Sequence, residues 1–304
     1  MEASLFDSST LVSVVIPTYN VGKFIRPAVE SVLAQSHSRL EVIVVNDGST
    51  DATMSHLYEI DDQRLHKIDR KNGGLSSARN FGARASSGDV IAFLDADDYW
   101  RCDKVALSLP LLSRHVAVGS KMRYVSDSGR ALPSAAGEDP SQKQSQIREG
   151  RLMPFPISGI LFRRDTVDAA GDFDEGLIQS EDIDFLARVA QLGTIGWSPD
   201  SLGFYRLRAG ALSSTKYAEQ RAYWRFVQSR IEARSHGEDV TVEEFMSTYS
   251  PSPLELSRDR AGSFYRRGGL RLSERDIRGA LDLFRAFLAS PSYTSSRMLR
   301  HLRS

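Results

Sequence analysis

Three carboxylates crowd the end of one apolar run: Asp95, Asp97 and Asp98 follow Val90-Ile91-Ala92-Phe93-Leu94, with only Ala96 between them. Ionised side chains this close repel one another, and a hard divalent cation such as Mg2+ or Mn2+ relieves the repulsion by taking their oxygens as ligands. A cation held by one or two carboxylates keeps open positions for a substrate phosphate. The same residues suit a plainer role, because Asp97 or Asp98 could cap a following helix through Val105 and Leu109. The run by itself leaves both roles open. A second acidic group, Glu181-Asp182-Ile183-Asp184, follows Ser180 and opens a helical pattern to about Leu192, with Ser180 as the N-cap.

Such groups work only when rigid elements hold them. Leu11–Ile16, Leu40–Val45, Leu65–Ile68 and Val90–Leu94 are apolar or β-branched runs of strand length. Between them Ile25, Ala28, Val29, Val32 and Leu33 share one helical face, and Leu75, Ala78, Arg79 and Gly82 open a second helix. The alternation predicts βαβ units and a mainly parallel sheet covered by helices on both sides. Ligands of such sheets bind beyond the carboxyl ends of the strands. The segments there are Pro17-Thr18-Tyr19-Asn20, Asn46-Asp47-Gly48-Ser49-Thr50-Asp51, Asp69-Arg70-Lys71-Asn72-Gly73-Gly74 and Asp95-Ala96-Asp97-Asp98, all polar, small or acidic.

From Ser126 to Gly150 the composition turns to Ser, Gly, Pro, Gln and charge, which predicts a long mobile loop. Ile157–Phe162 reads as a strand, Gly171–Glu175 as a turn and Trp197–Leu207 as a weak strand. Beyond Ser214 the pattern is helical: Tyr217, Trp224, Val227 and Ile231 share one face, and Ile277, Leu281, Phe284 and Leu288 share another after a Ser273-Glu274-Arg275-Asp276 capping box.

The 304 residues hold 39 Lys/Arg and 39 Asp/Glu, so no long-range field draws a phosphate backbone and nucleic acid is not an expected partner. Only Pro251–Ser304 is biased, with eleven Arg against five Asp/Glu. That bias fits attachment to an anionic membrane surface and fits a solvated helix face equally well. The single cysteine, Cys102, excludes an internal disulfide and predicts a reducing, cytoplasmic setting. Met1–Thr10 lacks the basic start of a secretory signal, and no apolar run approaches the roughly 20 residues of a membrane span. No Gly-x-x-x-x-Gly-Lys loop, Gly-x-Ser-x-Gly elbow or histidine pair at metal-ligand spacing occurs, which takes most of the support from the kinase, hydrolase and zinc-enzyme readings.

Val14-Val15-Ile16-Pro17-Thr18-Tyr19-Asn20, Val44-Val45-Asn46-Asp47-Gly48-Ser49-Thr50-Asp51, Asn72-Gly73-Gly74-Leu75-Ser76-Ser77-Ala78-Arg79-Asn80 and Phe93-Leu94-Asp95-Ala96-Asp97-Asp98 resemble the successive signatures of family 2 glycosyltransferases with the GT-A fold. Gly171-Asp172-Phe173-Asp174-Glu175 and Ser180-Glu181-Asp182-Ile183-Asp184 resemble that family's later turn and its ED motif. The match runs over about residues 10–215, and its six motifs keep their order and spacing.

The resemblance implies an α/β GT-A domain over 1–215, with a nucleotide-sugar-binding half at 10–115, an acceptor half at 116–215, and a helical C-terminal region at 216–304. It implies inverting, metal-dependent, non-processive transfer of a sugar from a nucleotide diphosphate donor, with UDP-sugars expected, to a hydroxyl of a glycan or lipid-linked glycan in polysaccharide biosynthesis. Carried over, Thr18, Tyr19 and Asp47 line the base and ribose pocket with Pro17, Asn20 and Lys71 on the same segments. Arg79 approaches the diphosphate, Asp95 contacts the ribose, and Asp97 with Asp95 holds Mn2+ or Mg2+ on the diphosphate. The metal would stabilise the departing charge. Asp98 is left to cap the next helix. Inversion in one displacement needs a base for the acceptor hydroxyl. Asp182 is the candidate, with Glu181 beside it; helix neighbours project about 100° apart, so the two cannot face one hydroxyl.

Three positions depart from the family pattern. Arg208 in Tyr205-Arg206-Leu207-Arg208 stands where members often carry a metal-completing histidine, and an arginine cannot ligate a cation, although it can bind a diphosphate. Tyr223 replaces the arginine of the processive-synthase signature in Gln220-Arg221-Ala222-Tyr223-Trp224, and Cys102 stands at a common proline. A non-catalytic nucleotide-sugar or glycan-binding module is therefore the rival from another class. A nucleotidyltransferase on a similar sheet is a weaker rival, because the early Gly-rich, Arg-bearing loop is missing between Ile16 and Lys23.

Overall fold

The computed structural model describes residues 5–208 and 217–301, which form nine strands and eleven α-helices. Four strands of the first unit are parallel: β1 (Val12–Thr18) pairs with β2 (Leu40–Asn46) and β4 (Val90–Phe93), and β2 pairs with β3 (Leu65–Asp69). All seven residues of β1 are buried. Alternation sends their side chains to opposite faces. Val14, Ile16, Val42 and Val44 join Ile25, Val29 and Val32 of α1 (Ile25–Leu33) in one core. Val15, Ile43 and Val45 join a second core on the other face with Ala78 of α2 (Leu75–Ala85). Helix α2 sits close because Gly82 has no side chain; a Cβ there would lie 2.3 Å from Val15 Cγ1.

The sheet continues past β4 in the order β3-β2-β1-β4-β8-β6-β9-β5, with β7 beside β6. These strands are β5 (Tyr99–Trp100), β6 (Ala117–Val125), β7 (Ala131–Ala136), β8 (Ile160–Arg163) and β9 (Ile195–Arg206). Strand β8 pairs antiparallel with both β4 and β6, so the sheet is mixed beyond its parallel half. Helices α3 (Lys104–Ser108), α4 (Gln144–Arg148), α5 (Arg164–Ala170) and α6 (Glu181–Leu192) complete this unit.

Packing divides the chain into Met1–Arg123 with Ala135–Tyr205, and Tyr124–Ser134 with Arg206–Ser304. The second unit contains α7 (Tyr217–Ser235), α8 (Val242–Thr248), α9 (Pro253–Ser273), α10 (Arg278–Ala289) and α11 (Pro291–His301). A boundary at 215 falls outside the described residues.

Four local expectations need correction. Ser126–Gly150 is not a structureless loop, for it holds β7 and α4. There Ile147 is buried, and the Gln144 side chain exchanges two hydrogen bonds with the Ile195 backbone, at 2.9 and 3.0 Å. Asp98 caps no helix: its N–H closes a turn on Asp95 O at 2.9 Å, β5 follows, and α3 starts only at Lys104. Ser273 ends α9 rather than opening a capping box, and the boxes lie earlier, at Thr241 with Glu244 and Ser252 with Glu255. The face of Ile277, Leu281, Phe284 and Leu288 is exposed, not core.

Candidate active site

At the end of β4 the chain turns through Asp95, whose amide donates to Ser158 Oγ at 3.1 Å. One Asp95 carboxylate oxygen accepts from Arg79 Nη2 at 2.8 Å. The other terminal nitrogen of Arg79 donates to Glu181 Oε1, at the first position of α6, at 2.6 Å. Arg79 is buried, with 2% exposure, and spans two acidic groups 86 residues apart in sequence. Burial works against its charge, but Asp95, Glu181 and Asp182 more than offset that, and the guanidinium is held above its ordinary pKa.

An aromatic cluster sets the spacing between β4 and α6. Phe173 and Phe185 stack with centroids 4.1 Å apart, and Phe93 meets the Phe173 ring edge-on at 4.9 Å. The Arg79 guanidinium lies 5.3 Å from the same Phe173 ring centre. Phe173 is fixed in turn by Asn80, which accepts from its N–H at 2.8 Å and donates to its carbonyl at 2.9 Å. The turn from Gly171 to Glu175 thus locks α2 to α6, and α6 brings its acids to the strand end.

Asp182, next to Glu181, makes no ion pair with Arg79 and accepts from the Ile183 amide at 2.9 Å. Burial, reinforced by the charges of Glu181 and Asp95 against the pull of Arg79, pushes its carboxyl up to about 7. The two neighbours have separated as helix geometry requires. Glu181 is spent on an ion pair, and Asp182 is the acid poised near neutrality. Ser180, before them, has a left-handed backbone (φ 62°) and makes no side-chain cap, so it occupies the expected position without its expected bond.

The other strand ends form a connected rim. Asp47 accepts from the amides of Gly73 (3.0 Å) and Gly74 (2.8 Å) and pairs with Arg70 Nε at 3.2 Å, so it anchors the loop that leads into α2. Asn20 Oδ1 accepts from the Thr50 and Asp51 amides at 2.8 and 3.3 Å and ties the first rim segment to the second. Pro17 lies within β1, opposite Val45. Tyr19 and Lys71 are exposed. Thr18 Oγ1, Ser76 Oγ and Arg79 Nε are buried without a hydrogen-bond partner among the described residues.

Residues that spacing did not single out support the β4 end from below. Trp100 Nε1 donates to Ser158 O at 2.7 Å. Lys104, fully buried, donates to Ser120 Oγ at 3.0 Å and Gly159 O at 2.9 Å, with Nζ 5.2 Å from the Trp100 ring centre. Burial lowers its pKa to about 7. A neutral amine has the two N–H groups these two acceptors need. No motif marks Lys104; only its place in an otherwise apolar helical pattern hinted at it.

Comparison with known proteins decides the family. The profile of Glycosyl transferase family 2 matches residues 13–170. The chain belongs to glycosyltransferase family 2. It is 30% identical to an uncharacterized glycosyltransferase of Haemophilus influenzae, over 70% of this chain and 71% of that one. It is 26% identical to an uncharacterized glycosyltransferase of Nostoc sp., over 96% of this chain and 92% of that one. The chain spans only about a third (34%) of the length of a related Rickettsia felis glycosyltransferase. The GT-A fold is shared with Staphylococcus aureus TarS, solved with UDP-GlcNAc, at TM-score 0.59 and 20% identity, over 94% of this chain and 92% of that one. It is also shared with a Pyrobaculum calidifontis mannosyltransferase, solved with GDP-Man and Mn2+, at TM-score 0.57 and 20% identity, over 97% and 81%. The protein is thus a transferase.

The glycosyltransferase's predicted residues fall into distinct places. Asp95, Arg79 and Glu181 form one ion-paired group with Asp182 in its field, whereas Asp47 and Asn20 brace the rim. Asp97, two residues after Asp95 in the chain, is partly buried. Arg208 belongs to the second unit, with its Nε 3.8 Å from Asp127. Among the described residues no three His, Cys, Asp or Glu side chains stand together as a ready cation cage, and no helix is long and apolar enough to cross a membrane.

Proposed function

We propose that this protein moves a sugar from a nucleoside diphosphate donor, with UDP-sugars expected, onto a hydroxyl of a glycan or lipid-linked glycan, by inversion and one residue at a time. The observation that carries the reading is the buried Arg79, which joins Asp95 at the donor strand end to Glu181 at the start of the acid-bearing helix. In this reading 10–115 holds the donor, 116–215 the acceptor, and 216–304 is a helical appendage.

The donor set fits a hard divalent cation that arrives with its ligand. Asp95 keeps one carboxylate oxygen beyond its Arg79 bond, and Asp97 adds a second carboxylate. Two carboxylates leave coordination positions for diphosphate oxygens, the usual manner of Mg2+ binding. When bound, the metal stabilises negative charge on the leaving diphosphate.

The protein's own groups perform the rest. Thr18 and Tyr19 receive the nucleoside, and the unpartnered Thr18 hydroxyl supports that role. Asp47 holds the Gly73–Gly74 amides in place at the rim that receives the base. Asp182 takes the proton of the acceptor hydroxyl as its oxygen attacks the anomeric carbon opposite the leaving group, so the new glycosidic bond forms as the bond to the diphosphate breaks. The setting proposed is cytoplasmic, with peripheral attachment to the membrane.

Incubation with UDP-, GDP- and dTDP-sugars and Mn2+, with free nucleoside diphosphate measured, tests the reading. Metal-dependent release with one donor class is the expected result. Tight donor binding without release in the presence of acceptor glycans would make the protein a binding module.

A further inference from the structure

Helix α10 is amphipathic but faces the wrong way for a core helix. Its inward side carries Gly279, Asp282 and Ala286, and its outward side carries Leu281, Phe284, Phe287 and Leu288, with Ile277 just before it. Ile277 is 85% exposed, Leu288 64% and Phe284 58%. The orientation is pinned. Asp282, fully buried, pairs with Arg267 at 2.9 Å and Arg271 at 2.6 Å on α9. A Cβ on Gly279 would sit 2.5 Å from Gly268 O, so the two helices meet backbone to backbone. Rotating α10 to hide its apolar stripe would strand Asp282 and break that contact.

We infer that the outward face of α10 seats this protein on an anionic lipid surface, with Ile277, Leu281, Phe284 and Leu288 entering the headgroup boundary and Arg278 and Arg285 meeting lipid phosphates. Charge complementarity selects this occupant. The exposed Arg278 and Arg285 flank the stripe, and Pro251–Ser304 carries eleven Arg against five acids. Asp276 pairs with Arg278 itself at 2.8 Å and Asp282 lies 3.6 Å from Arg285, so the positive field comes from the regional excess of arginines over acids rather than from these two arginines alone. A second copy would bring the same net positive charge, whereas an anionic bilayer supplies both an apolar boundary and the counter-charge. The inference gives a defined face to the peripheral attachment of the proposed function, and it does not depend on the transfer chemistry.

The test is co-sedimentation of the full chain with vesicles of phosphatidylcholine alone and of phosphatidylcholine with phosphatidylglycerol, at low and high salt. The wild type should sediment with the anionic vesicles and lose binding as salt rises. Leu281→Ser with Phe284→Ser should weaken that binding at least tenfold, and Arg285→Gln should weaken it less, while melting temperature and UDP titration stay unchanged because these side chains are exposed. A wild type that remains in the supernatant, or a double variant that binds as well as the wild type, overturns the inference. So does a concentration-dependent dimer, seen by light scattering and abolished by the double variant, with no vesicle binding. None of these outcomes bears on nucleotide release, which tests the transferase reading separately.

Discussion

Arg79 and Glu181, 102 positions apart in the chain, meet at 2.6 Å in a site where the arginine is 2% and the glutamate 10% exposed. Removing one partner of a buried pair leaves the other charge without compensation, at a cost of about 3–5 kcal/mol. Arg79→Met should lower unfolding stability by that order in urea titrations. Glu181→Gln, which keeps an oxygen for Arg79, should cost less. Equal stability of Arg79→Met and wild type would show that the pair does not join α2 to α6.

With Asp182 as the proposed base, its raised carboxyl sets a pH dependence for transfer. A general base works only when ionised, so kcat/KM should climb with pH through about 7 and then level off. Asp182→Asn should lose that limb and drop kcat by about 10²–10⁴-fold, with UDP affinity nearly unchanged. Arg79 pulls the Asp182 pKa down, so Arg79→Gln should move the limb to higher pH and Arg79→Lys should hold it. Near wild-type kcat in Asp182→Asn would remove the base assignment.

Asp97 is the simplest probe of metal dependence. Exchanging its carboxylate for an amide in Asp97→Asn removes a charged oxygen ligand, and UDP binding in Mn2+ should fall while metal-free binding stays the same. Calorimetry with and without Mn2+ reads both. Equal affinity of mutant and wild type in saturating Mn2+ would release Asp97 from the metal site.

Lys104 leaves its mark on stability rather than on turnover. An unfolded lysine titrates near 10.5 and the buried one near 7, so between those values the unfolded chain binds the extra proton and this group makes stability rise with pH. Below pH 7 both states are protonated and above 10.5 neither is, so the contribution is flat outside the window. Lys104→Met should flatten the rise between pH 7 and pH 9, measured as urea midpoints. An unaltered slope would mean that Lys104 keeps an ordinary pKa in the fold.

The local readings succeeded where one short segment carries its own physics. Strands β1, β2 and β4 follow from runs of buried apolar, largely β-branched residues, and β1 shows the full burial that helices on both faces demand. The acid-rich end of β4 and the Glu181 start of α6 were legible for the same reason, as was the separation of Glu181 from Asp182, since 3.6 residues per turn is a property of the backbone alone.

Where a side chain's meaning depends on what packs against it, only the tertiary structure decided. The resemblance set Arg79 near a diphosphate, but its burial between Asp95 and Glu181 depends on segments distant in the chain. Lys104 is a buried amine only because Ser120 and Gly159 supply oxygens from two other parts of the chain. The stripe of Ile277, Leu281, Phe284 and Leu288 announces an amphipathic helix, but periodicity records that two faces differ and not which one turns inward. The buried pairing of Asp282 with Arg267 and Arg271 settled that against the apolar side. Periodicity is a local property of the chain; burial and charge pairing belong to neighbours that only folding brings together.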